Sequence, residues 1–194
     1  METLQVKTYD SPLPTETFRT LERMPVHVIL DNLRSAFNVG SIIRTADCAL
    51  AGRIICTGIT ASPPHKKLDK TSMGALSYVP VEYEQSALSA VKKLKEQNIP
   101  IIALELTNKS KDIWDFEFPL PAGLVLGNEA LGVSLEILKE ADHIIEIPML
   151  GYKNSINVSV AFGVVLYEIQ RQHWKAVSKN SLRSGREISD KGEI

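Results

Sequence analysis

The sequence predicts an α/β fold, a mostly parallel sheet flanked by helices. Short apolar runs bounded by turn residues alternate with longer segments at helical spacing through residues 25–173. Most of the short runs, such as Val26–Leu30 and Ala122–Leu126, are apolar at successive positions and so on both faces. Strands of that kind lie inside a parallel sheet covered by helices. No internal repeat and no low-complexity block interrupts the alternation.

Residues 1–24 carry Pro12 and Pro14 and little periodicity, which predicts an N-terminal arm or a short helix. Val26–Leu30 reads as the first strand, and Asn32–Asn38 as the loop after it. Ile42, Ile43, Ala46 and Ala49 fall at helical spacing, with Gly52 as the expected stop. Arg53–Thr57 is the second strand. Residues 60–77, with Pro63 and Pro64, predict a long loop. A strand near Tyr78–Glu82 leads to a helix over Ser86–Gln97. Ile99–Leu106 is a strong strand and Thr107–Pro121 is irregular. Ala122–Leu126 is a strand that ends in a turn at Gly127. Ser134–Lys139 predicts a short helix and His143–Ile147 the last strand, stopped by Pro148.

The final helix is expected from Ser155 to about His173, with Ser155 as its N-cap. Val158, Phe162, Val165 and Ile169 form one stripe, and Ala161, Val164 and Leu166 lie off it. A helix apolar almost all round is buried in a core or in a subunit contact. Its N-terminus nevertheless carries Asn154, Ser155 and Asn157, which reads either as a capped core helix or as a small-ligand site.

A chain of 194 residues, 44% apolar, suits one domain with short extensions. We divide it into an N-terminal arm, residues 1–24, a domain over 25–173, and a tail over 174–194. The net charge is only -1, so the protein is no polycation, but from Arg171 onward six basic residues face three acidic ones. A basic tail can reach a phosphate backbone, and so can the run His65, Lys66, Lys67 and Lys70; a solvated surface has the same composition. Cys48 and Cys56 match no metal spacing and are expected buried and reduced, in keeping with a cytoplasmic protein. No apolar run approaches the length of about 18 residues that a membrane helix requires, and no signal pattern opens the chain.

In open α/β sheets, ligands bind beyond the carboxyl ends of the strands. Those ends carry Asp31–Asn38, Thr107 and Asn108, Gly127–Glu129 and Pro148–Asn154. No G-x-G-x-x-G follows the first strand and no P-loop is present, which disfavours a nucleotide-dependent oxidoreductase.

Three segments at those places carry a resemblance. They are Asn38–Asp47 (NVGSIIRTAD), Leu124–Gly132 (LVLGNEALG), and Ile147-Pro148-Met149 followed by Ser155–Ala161 (SINVSVA). In this order and spacing they resemble the TrmH (SpoU) group of the SPOUT superfamily, AdoMet-dependent RNA 2′-O-ribose methyltransferases. The resemblance covers about residues 25–172. Ile156 stands where the family usually has Leu.

The resemblance implies a SPOUT-like fold with a C-terminal deep trefoil knot, S-adenosyl-L-methionine bound in the knot, and a homodimer with shared active sites. It implies a structured RNA partner, tRNA first and rRNA second; no metal-ligand cluster appears in the sequence, methyl transfer from AdoMet to oxygen requires none, and no membrane is expected. The matching positions make Arg44, Asn38, Glu129, Ser155 and Asn157 the candidate catalytic residues. Leu106, Thr107, Gly127, Ile147 and Ile156 become the candidate cofactor-binding residues. Arg44 would activate or orient the ribose hydroxyl; arginine is normally protonated, so orientation of the ribose and a neighbouring phosphate is the chemically easier role. Rival readings are a base-nitrogen methyltransferase of the same superfamily and a non-catalytic RNA-binding relative. The pairs Asn38–Arg44 and Ser155–Asn157 argue for ribose.

Overall fold

The computed structural model describes residue 10 and residues 14–173; the basic tail proposed above lies outside the described residues. The elements in chain order are α1 (Thr15–Thr20), β1 (Met24–Asp31), α2 (Ala36–Cys48), β2 (Ala51–Thr57), α3 (Lys66–Thr71), β3 (Val81–Glu84) and α4 (Ala87–Glu96). Then follow β4 (Ile101–Leu104), β5 (Lys111–Asp112), β6 (Ala122–Leu126), α5 (Leu135–Glu140), β7 (His143–Glu146) and α6 (Val158–His173).

The strands form one sheet in the order β3-β2-β1-β6-β4-β7-β5. Every pairing in it is parallel. The chain builds outward from β1 to β3 on one side, then crosses to the other side with β4. The carboxyl ends of β1 and β6 therefore adjoin, with Leu30 in register with Leu126. That crevice is where an open parallel sheet places its site.

The pleat sends alternate side chains to two cores. Val28 and Leu30 of β1 join Ile42 of α2, Leu68 of α3 and Phe162 of α6 on one face. Ile29 joins Leu94 of α4, Val125 of β6 and Ile137 of α5 on the other. Ser35 caps α2 by accepting from Asn38 N–H, and Ser86 caps α4 by accepting from Ser89 N–H.

Several boundaries differ from the sequence reading. The expected loop at 60–77 holds α3 and a 3-10 turn at Ala75–Ser77, because buried Leu68 docks the segment on the core. The expected strand near Tyr78 starts at Val81 instead, after that turn. Helix α2 stops at Cys48, where Leu50 takes a left-handed φ of 53°, and Gly52 lies inside β2. Asn157, not Ser155, caps α6: its Oδ1 accepts from Ser159 N–H at 2.8 Å, and the helix begins at Val158. Cys56 is buried, and burial pushes its thiol up to about 12. Cys48 is exposed, because it sits one turn past Arg44 on the solvent side of α2.

Candidate active site

The loops after β1 and β6 meet through Glu129. Its carboxylate accepts from Arg34 N–H at 2.8 Å, Ser35 N–H at 3.0 Å and Asn38 Nδ2 at 2.8 Å. Backbone donors at the start of α2 and a positive helix end both favour the charged form. Desolvation alone would raise the Glu129 pKa, but the hydrogen bonds from Arg34, Asn38 and Ser35 outweigh it and hold the carboxyl below the ordinary glutamate range. Asn38 passes the chain on: its Oδ1 accepts from Asn157 Nδ2 at 3.0 Å. Three predicted residues from three elements thus form one directional chain, Glu129–Asn38–Asn157.

The loop that carries Glu129 is fastened on every side. Asn128 and Gly132 exchange two backbone bonds, and Asn128 Oδ1 accepts from Ala130 N–H and Leu131 N–H. Asn128 Nδ2 donates to the Asn32 carbonyl. Glu105, just after β4, accepts from Val133 N–H at 2.8 Å and from Leu106 N–H at 3.0 Å. Asp31, buried at the end of β1, accepts from Ser134 N–H at 2.9 Å. Gly127 is a glycine because of this loop: a Cβ there would stand 2.2 Å from Gly132 C and Val133 N. The resemblance makes Gly127 a candidate cofactor-binding residue; in the structure the space beside it is filled by its own loop backbone.

A cleft of about 120 Å³ opens beside the loop, between the carboxyl ends of β4 and β7 and the start of α6. Leu106, Ile147, Ser155 and Ile156 line it, four of the predicted residues, together with Glu105 and Met149. Thr107 and Gly127 do not. Thr107 closes a turn instead, with its Oγ1 accepting from Lys109 N–H and its carbonyl from Ser110 Oγ. Exposed apolar walls at Leu106 (53%) and Ile156 (41%) suit a flat ring system with polar edges. Arg44 is exposed on α2, outside the cleft, and its guanidinium has no partner among the described residues. On α2 it follows Phe37 and Gly40 along one face, while Asn38 points elsewhere, towards Glu129 and Asn157.

Asp31 and Asn128 fall within the strand ends noted in the sequence but receive no role there, and Glu105 is not noted at all. Asp31 and Asn128 are buried polar side chains at strand ends, and Glu105 interrupts the apolar run Ile99–Leu106 just before its end; an acidic or amide residue at the close of a buried strand is the available signal. Among the described residues no group of three His, Cys, Asp or Glu side chains could hold a metal ion, and no helix is long and apolar enough to cross a membrane.

Comparison with known proteins places these elements in context. The model of the SpoU rRNA Methylase family matches residues 25–167. The tRNA (guanosine(18)-2'-O)-methyltransferase of Thermus thermophilus is 34% identical over 149 residues, 77% of this chain and 76% of that protein. The TrmH/SpoU tRNA modifying enzyme of A. aeolicus superposes with a TM-score of 0.75 at 28% identity, covering 92% of this chain and 94% of that one. The SpoU methyltransferase AviRb of Streptomyces viridochromogenes, crystallised with AdoMet, superposes with a TM-score of 0.72 at 30% identity, over 80% of this chain and 61% of that one. The chain spans 60% and 65% of the length of two further curated relatives, at 32% and 33% identity.

Proposed function

This chain belongs to the SpoU rRNA Methylase family, and on that premise we propose that it transfers a methyl group from AdoMet to a ribose 2′-OH of tRNA or, second, rRNA. The observation that carries the reading is the Glu129–Asn38–Asn157 chain beside an apolar cleft, built from the family-matched elements. The cleft residues fit the cofactor: Leu106, Ile147 and Ile156 are apolar walls for an adenine, with Ser155 at the rim. The cleft is smaller than the roughly 300–1,000 Å³ of ordinary ligand sites, so it receives part of such a molecule and leaves the rest at its mouth. Bound AdoMet supplies an electrophilic methyl group on a sulfonium.

The protein's own part is positioning, the main source of acceleration for a weak hydroxyl nucleophile. Arg44 orients the target ribose and its phosphate, which then takes the hydroxyl proton; guanidinium is suited to forked contacts and poorly suited to accept a proton itself. Glu129 stays ionised and fixes the first turn of α2, and so the direction of the helix that carries Arg44. Asn157 ties the start of α6 to the same turn, so the cleft and the arginine helix move together.

Arg44 is exposed and does not line the cleft of its own chain, and the same face of α2 carries exposed Phe37. Helix α6 leaves Val160 (54%) and Tyr167 (48%) exposed. We read these as the contact surface of a homodimer in which one protomer's Arg44 serves its partner's cleft. The C-terminal segment we read as a deep trefoil knot. Insertion of β7 between β4 and β5 and packing of α6 on α2 support the return of the chain into earlier elements. Residues 25–173 would form the methyltransferase domain, acting in the cytoplasm.

The test is single-turnover transfer of labelled methyl from AdoMet to unmodified tRNA and rRNA, followed by nucleoside mass spectrometry. A 2′-O-methylated nucleoside is expected. A base-methylated product would move the assignment to the base-nitrogen class, and AdoMet binding without transfer to either RNA would point to a non-catalytic relative.

A further inference from the structure

Lys66, Lys67 and Lys70 stand exposed on α3. None of their ammonium groups has an ion-pair partner among the described residues, as is also true of scattered lysines such as Lys92 and Lys139; on α3 three such cations fall within five residues. Asp69 is also exposed there and leaves the helix net positive. The chain as a whole carries a net charge of -1, so general attraction to a polyanion is absent and any such attraction must be local.

A helix of 6 residues is not stable by itself, so its position is imposed by what it packs on. Leu68 is fully buried in the core shared with α2. Thr71 Oγ1 donates its one proton to the Lys67 carbonyl at 2.7 Å and lies 3.4 Å from the Ala36 carbonyl of α2. At Gly40 a Cβ would lie 2.0 Å from Thr71 Oγ1, so the two helices touch where α2 has no side chain. Gly40 shares its face of α2 with Phe37 and Arg44, at steps of three and four residues. The lysine helix is therefore seated on the side of α2 that presents Arg44, not on the side that meets Glu129 and Asn157.

We infer that α3 is a phosphate-docking platform for the substrate RNA, holding the backbone beside the nucleotide that Arg44 orients. The inference rests on the RNA methyltransferase reading. Lys66 and Lys70, four residues apart, are neighbours on one helix face and present two cations to one strand. Lysine suits this task because a point charge on a flexible stem tolerates any sequence, and phosphate contacts fix register without reading bases.

The experiment compares wild type, the triple variant Lys66→Ala/Lys67→Ala/Lys70→Ala, and the control Lys92→Ala/Lys139→Ala. The control removes exposed lysines from α4 and α5, on the opposite face of the sheet. Binding of an unmodified tRNA transcript is titrated between about 50 and 200 mM salt, beside AdoMet affinity and thermal unfolding. The triple variant should bind roughly ten-fold more weakly, with a log–log salt slope shallower by about 2, since each lost phosphate contact removes about 0.7–0.9. Its AdoMet affinity and unfolding temperature should match wild type, and the control should bind RNA as wild type does. An unchanged slope in the triple variant, an equal loss in the control, or no wild-type binding at low salt would overturn the platform. The two readings fail separately. Lysine-dependent binding without methyl transfer sinks the enzymatic reading alone, and normal transfer by the triple variant with an unchanged slope sinks the platform alone.

Discussion

Asn157 Nδ2 donates to Asn38 Oδ1 at 3.0 Å across 119 positions of sequence. The direction of the bond is decided by Glu129, which can only accept when ionised and so takes the Asn38 amide nitrogen. The Asn38 oxygen is left for Asn157, whose own oxygen caps α6. In a double-mutant cycle of Asn38→Ala and Asn157→Ala, denaturant unfolding should give a coupling of about 0.5–1.5 kcal/mol. Asn38→Asp should be worse than Asn38→Ala, because it sets a second carboxylate against Glu129. Strict additivity of the two alanine variants would show that the bond does not join the elements in solution.

Arg44 is exposed, free of partners among the described residues, and outside the cleft. Arg44→Ala should leave AdoMet affinity nearly intact and cut methyl transfer by at least ~100-fold, the scale of a lost catalytic group. Arg44→Lys should restore little, because an ammonium lacks the planar fork. Single-turnover transfer beside an AdoMet titration measures both; a wild-type rate in Arg44→Ala removes Arg44 from the chemistry.

The Glu129 carboxyl is held below its ordinary range in the folded state. A carboxyl depressed in this way adds stability that is fully present above its unfolded value and is lost as pH falls through the folded one. The stability gap between wild type and Glu129→Gln should therefore be level above about pH 6 and narrow as pH drops towards about 3. Urea unfolding across that range checks it, and a gap that widens on acidification would contradict the hydrogen-bond assignment.

Gly127 has the backbone of Gly132 and Val133 where a Cβ would go. Gly127→Ala should force the loop apart and cost about 1–3 kcal/mol, as overpacking does. Because Glu129 rides on that loop, methyl transfer should fall in the fraction that remains folded. A Gly127→Ala protein as stable as wild type by thermal unfolding would mean that the loop gives way without strain.

The local signals belonged to the sequence. Apolar runs at Val26–Leu30, Ile99–Leu106 and Ala122–Leu126 mark buried parallel strands, because period and composition are properties of neighbouring residues, although β4 itself takes only Ile101–Leu104 of its run. The same holds for α4, whose cap Ser86 precedes its apolar face directly. Strand direction puts Asn38 and Glu129 on one rim, and the resemblance to the TrmH (SpoU) group adds Asn157 at the start of the last helix and makes the three candidate site residues. Only the tertiary structure decided how they engage. Ser155 and Asn157 are both good caps, and the bond that Asn157 donates to Asn38 selects Asn157. Glycine at 127 signals a close approach in either reading, but only the folded loop shows that the approaching atoms are its own. Helix α3 is too short to announce itself by periodicity; burial of Leu68 and the Gly40–Thr71 contact create it, because a marginal helix takes its stability from the surface it covers.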